Sequence, residues 1–79
     1  MKKIKLKHPI QISGKEVTEI SLLRRPKARD LEAMDKAQGP VGKTIMLMSN
    51  LMEFTPDEVR ELDAEDFNAI ESEINSFLF

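Results

Sequence analysis

Ala37-Gln38-Gly39-Pro40-Val41-Gly42-Lys43-Thr44 comes within one residue of a phosphate-binding loop, with Ala37 standing where the first glycine belongs. Such a loop works because glycines let backbone N–H groups wrap the phosphates, while the lysine reaches their outer oxygens and the hydroxyl holds magnesium. It must also leave a buried strand and enter a helix, whose amino end adds partial positive charge. Here the stretch follows a helical pattern instead. The chain is too short for a doubly wound sheet, and no later apolar strand ends in an aspartate that would hold magnesium. Gly39-Pro40 therefore reads as a break between two helices, with Lys43 and Thr44 on the polar side of the second, and no nucleotide cofactor is expected.

The other chemistry-bearing residues read as structural. His8 is the one side chain that titrates near neutrality unperturbed, but it precedes a proline in a terminal strand and reads as a surface histidine. Asp57, Glu58, Glu61, Asp63, Glu65 and Asp66 lack the glycine that a calcium loop turns on, and they stand where acids complement helix amino ends. No catalytic, metal or cofactor-binding residue is expected. Arg24, Arg25, Lys27 and Arg29 form a short basic run without interleaved aromatics, followed at once by Asp30, Glu32 and Asp35, so a solvated or intersubunit face is favoured over a nucleic-acid site. Met46, Met48 and Met52, with Met34 nearby, are the least ordinary feature. Methionine is flexible and polarizable, and suits either a small irregular core or an adaptable protein-binding surface.

These groups must be positioned by 79 residues without a cysteine, so neither a disulfide framework nor a thiolate site is available. A chain of this size buries only roughly 60–65% of its unfolded surface, and its thin core is compatible with a homo-oligomer. The amino end MKKIKLKHPIQIS alternates polar and apolar residues and lacks the continuous apolar stretch of a signal peptide or membrane span. A soluble cytoplasmic protein with no membrane partner is expected. The net charge of −2 hides a division, since residues 1–36 carry +5 and residues 37–79 carry −7. The two halves should attract one another or complementary neighbours.

From Lys3 to Leu22 the apolar residues alternate around the turn Ser13-Gly14, which predicts a β-hairpin over 3–23. Pro9 cannot donate to a ladder, so the first strand is an edge or is broken there. The apolar phase also slips between Val17 and Ile20, implying a bulge or a late strand start. Good helix formers then predict helices over about 27–37 and 41–53, the second apolar on most of its sides, with Val41, Ile45, Met48 and Met52 on its main stripe. Thr55 and Glu58 have capping-box spacing with Pro56 at the first helical position, and Asp63 caps the following run. Helices over 56–61 and 64–77 follow. The expected architecture is α+β: one domain, 1–79, with an amino-terminal hairpin and three to four helices.

The order of Leu6-x-x-Pro9-Ile10, the Gly14 turn, Leu23-Arg24-x-Pro26-x-x-x-Asp30-Leu31, an apolar middle helix, Thr55-Pro56 and Leu62-Asp63-x-x-Asp66-Phe67 resembles the small tail assembly chaperones of long-tailed phages, of the kind found in Mu-like phages and prophages. The resemblance covers nearly the whole chain. It implies a non-enzymatic protein of the host bacterial cytoplasm, absent from the finished particle, which binds the tape measure protein, keeps its apolar helices soluble and helps recruit tail-tube subunits. It also implies that a carboxyl-extended frameshift product can accompany the shorter chain. The resemblance transfers no binding residues. Candidates for protein contact come from the sequence itself: Met46, Met48 and Met52 in the middle helix, and Phe77 and Phe79 at the apolar carboxyl end. The rival readings are a small DNA-binding regulator using Arg24–Arg29 and a plain structural subunit of a particle. The acidic last helices give the regulator no basic recognition helix, and no nucleic-acid partner is expected.

Overall fold

In the computed structural model, residues 2–78 are described, Phe77 and Leu78 by their backbone alone. Two antiparallel strands, β1 (Lys2–Ile12) and β2 (Lys15–Leu22), precede four helices, α1 (Ala28–Met34), α2 (Gly39–Met52), α3 (Pro56–Arg60) and α4 (Ala64–Leu78). The architecture is α+β, as the alternation and the helix signals require.

The strands turn through Ser13 and Gly14, both left-handed at φ 52° and 79°. Positive φ at both central residues matches the right-handed twist of the strands they join. Pairing runs in register from Lys2↔Leu22 to Lys5↔Glu19 and resumes at Ile10↔Val17. Four residues of β1, Leu6 to Pro9, thus stand opposite Thr18 alone. The slip read in β2 is real, but the extra residues lie in β1. There Pro9 has no N–H to offer, and the strand leaves the ladder while Leu6 and Ile10 both stay buried.

Helix boundaries follow from local chemistry. α1 begins where the Asp30 carboxylate accepts the Lys27 N–H at 2.7 Å. It stops at Met34, earlier than the expected 37, because the N–H groups of Asp35, Lys36 and Ala37 bond back three residues at 3.1, 3.2 and 3.0 Å, tightening the chain into a turn. Gly39 (φ 76°) redirects it, and Pro40 sits in the first turn of α2, where its missing N–H costs nothing. α2 ends through Glu53 in the left-handed conformation, with the Phe54 N–H returning to the Ser49 carbonyl at 3.1 Å. Thr55 and Glu58 close the expected capping box on α3, the hydroxyl accepting from Glu58 N at 3.2 Å and the carboxylate from Thr55 N at 2.9 Å. Asp63 caps α4 by accepting from Glu65 N at 2.9 Å.

The hairpin lays Leu6, Ile10, Ile20 and Leu22 against Leu47, Met48, Leu51 and Met52 of α2, Val59 and Leu62 at α3, and Ile70 and Ile74 of α4. The end of the hairpin is tied to α2 by a backbone bond from Leu23 N to the Leu51 carbonyl at 3.0 Å. That carbonyl lies in the last turn of α2, where no intrahelical donor remains. Consequently the hairpin covers the carboxyl half of α2, and the amino half extends beyond it.

Candidate functional site

Gly42, Lys43 and Thr44 lie inside α2, which follows a turn and not a strand. The Thr44 hydroxyl sits 3.0 Å from Glu71 Oε2 and 3.1 Å from the Pro40 carbonyl, so its single proton is shared between α4 and its own helix. The N–H groups of Gly42, Lys43 and Thr44 lie within the helix, and Thr44 fastens α2 to α4 instead of holding a metal beside phosphate.

Two buried carboxylates organise the chain around its irregular segments. Asp30, 2% exposed, accepts both terminal nitrogens of Arg24 at 2.6 and 2.9 Å and also the Lys27 N–H. The guanidinium, reinforced by that N–H, outweighs burial and holds the Asp30 carboxyl down at about 2. Asp66, 3% exposed, accepts the N–H groups of Lys7 and His8 at 2.9 Å each. These two donors belong to the extra residues of β1, so the first turn of α4 satisfies the backbone that the bulge removes from the ladder. The charge division predicted attraction between the halves, and it occurs at this seam: Lys7 meets Glu65 and Lys2 meets Glu73, both at 3.2 Å.

His8 is exposed, as expected, with Nε2 at 2.9 Å from Glu65 Oε1 and 3.8 Å from Asp63 Oδ1. The hydrogen bond to Glu65, then the charge of Asp63, raises its pKa above 6.5. These three side chains offer ligand atoms within 4.8 Å of one another, the one metal-compatible cluster among the described residues. Glu65 is already engaged by Lys7 and His8, and Asp63 by its capping bond. Locking Arg24 onto Asp30 also removes the first cation of the basic run from use against phosphates.

The methionines separate. Met48 and Met52, proposed as partner contacts, are 0% and 4% exposed and belong to the core under the hairpin, so neither offers surface in this fold. Truncating a buried methionine costs about 2–5 kcal/mol, a penalty to stability rather than to binding. Met46 is half-buried and lines a surface groove with Lys36, Ala37, Gln38, Gly42, Ile45, Pro56 and Arg60. Of the two aromatic candidates, Phe77 lies in α4 with its side chain outside the described residues, and Phe79 falls outside them altogether.

A second groove, of about 340 Å³, adjoins the first through Ile45 and Arg60. Val41, Ile45 and Phe67 form its apolar walls, with Val59 and Leu62 buried at its base. Val41 is 62% exposed, a large apolar side chain open to water. Val41, Ile45, Met48 and Met52 share the stripe read from their spacing, yet the hairpin covers only its carboxyl half. The visible signal was that α2 is apolar on more sides than one small hairpin can cover.

A family model described as phage tail assembly chaperone proteins, E, or 41 or 14, matches residues 3–78. The chain belongs to this family. As a tail assembly chaperone it has a part in phage tail assembly and binds tail proteins, and its family is one of assembly rather than catalysis. Comparison with curated proteins and with solved structures gives no match. The motifs that carry the likeness acquire physical roles in this chaperone: Leu6 to Pro9 and Asp66 meet at one seam, and Arg24 and Asp30 at another.

Proposed function

We propose that the chain binds the tape measure protein in the host bacterial cytoplasm, shields its apolar helical segments until tail-tube subunits assemble around it, and is left out of the finished particle. The observation that carries this reading is the paired groove of α2, α3 and α4, where Val41, Ile45, Met46 and Phe67 present apolar surface on an otherwise charged small domain. An apolar groove accepts an amphipathic helix through residues repeating every three or four positions, without demanding one fixed sequence. Met46, at its edge, can repack against differing side chains. Copies bound along one long client would act together, so modest affinity at each groove suffices.

The test is co-expression with the tape measure protein of the same genome. Soluble tape measure protein co-purifying with the chain is the expected result. An equally insoluble tape measure protein with and without the chain would end this reading.

A further inference from the structure

The charged residues in and after α3 line different clefts. Asp57, Glu58 and Glu61 line a cleft with Gln11 and Ser13 at the hairpin turn, whereas Arg60 lines both lobes of the apolar groove. Lys36 lines the lobe that holds Met46, and the remaining residues that line the two lobes are uncharged. The charged side chains at the groove are thus all cationic, although the segment that supplies most of it, residues 37–79, carries a net charge of −7. Among the described residues Arg60 is held by Asp57, at 2.7 Å in an exposed pair one helical turn away. Such pairs contribute little, so the guanidinium can exchange its partner without appreciable loss.

We infer that the groove selects amphipathic helices whose apolar stripe is flanked by carboxylates, with Lys36 and Arg60, which line it with Ile45, receiving those carboxylates. Apolar contact alone is indifferent to sequence and would admit basic amphipathic helices equally well. Two cations beside a low-dielectric groove make the choice, because a basic helix would bring like charges together as it desolvates them. The inference rests on the chaperone reading for the groove's use and adds the chemistry of the segment it holds.

The probes are fluorescein-labelled amphipathic peptides of about 18 residues, a length of about 27 Å when helical, sharing one leucine stripe and flanked by Glu, Gln or Lys. Fluorescence anisotropy at low and high salt reads the affinities. The Arg60 pair replaces the one with Asp57, so the Lys36 pair, at about 0.5 kcal/mol, corresponds to roughly twofold tighter binding of the Glu peptide than of the Gln peptide at low salt. The Lys peptide binds weakest, and the spread narrows as salt rises. The doubly reversed variant Lys36→Glu/Arg60→Glu inverts the order, and Lys36→Gln/Arg60→Gln removes it; circular dichroism verifies that both variants are folded. Equal affinity for the Glu and Lys peptides, or an order unchanged in the reversed variant, would overturn the inference. So would a parent dimer in sedimentation that Lys36→Glu/Arg60→Glu dissociates, since the groove would then hold a second copy. Loss of peptide selectivity with the tape measure protein still soluble on co-expression would leave the proposed function standing. Selectivity without that solubility would remove the proposed function alone.

Discussion

Replacing Asp66 by asparagine tests whether the first turn of α4 organises the amino-terminal strand. The carboxylate is 3% exposed and both oxygens accept backbone N–H groups, from Lys7 and His8, at 2.9 Å. A hydrogen bond to a charged group contributes about 1.5–3 kcal/mol. An amide of the same shape has one acceptor oxygen, so it keeps one bond and turns its own N–H toward the second donor. The expected cost is about 2–3 kcal/mol for Asp66→Asn and about 3–5 kcal/mol for Asp66→Ala, which also empties the site. A domain of this length has a total stability of only about 4–12 kcal/mol, so the asparagine variant should melt about 10 °C lower or more. The chain has no Trp and no Tyr, so unfolding in urea is followed by far-ultraviolet circular dichroism. Amide exchange gives the local readout, with Lys7 and His8 N–H protected in the parent and fast in the variant. An asparagine variant with the parent's urea midpoint and protected amides would refute the seam.

Asp30 should make stability pH-dependent in acid. Its carboxyl titrates at about 2 when folded against 3.8 when unfolded, so about 2 kcal/mol of stability is present above pH 3.8 and is lost as pH falls through 2. Urea midpoints taken across that window should fall steeply in the parent and less so in Asp30→Asn. His8 works in the opposite sense: its raised pKa favours the fold below pH 6.5, and that contribution is lost as pH rises through the folded value. An NMR titration should place the imidazole above 6.5, returning toward it in Glu65→Gln. Thr55→Ala removes the hydroxyl that accepts Glu58 N and should cost about 1 kcal/mol in urea unfolding, with an unchanged midpoint speaking against the cap.

What could be read in the sequence was what is local. The capping box spans Thr55 to Glu58, the turn needs only Ser13-Gly14, and the phase slip near Val17 announced an irregular hairpin. Asp66 was read as a helix-dipole acid because its partners Lys7 and His8 stand 59 and 58 positions away, and no spacing rule reaches so far. Arg24 was read as part of a basic run on a solvated or intersubunit face because the six-residue step to Asp30 matches no helical or strand period; its meaning depends on the bend at Arg24 between β2 and α1. The candidate site was half legible. The excess of apolar positions on α2 indicated a surface to cover, but where the hairpin would stop along the helix decides which ones remain open. That boundary buries Met48 and Met52 and exposes Val41.

Co-expression of the tape measure protein with Val41→Glu tests most directly whether the groove of α2–α4 holds the client. Val41 is 62% exposed in the first turn of α2, where an acidic residue complements the helix amino end and leaves the fold intact. Docking an apolar helix there would desolvate the new carboxylate, which opposes binding strongly. The account predicts a folded variant, with the parent's circular dichroism and melting midpoint, that leaves the tape measure protein insoluble. A folded variant that solubilises and co-purifies the tape measure protein as well as the parent does would contradict it.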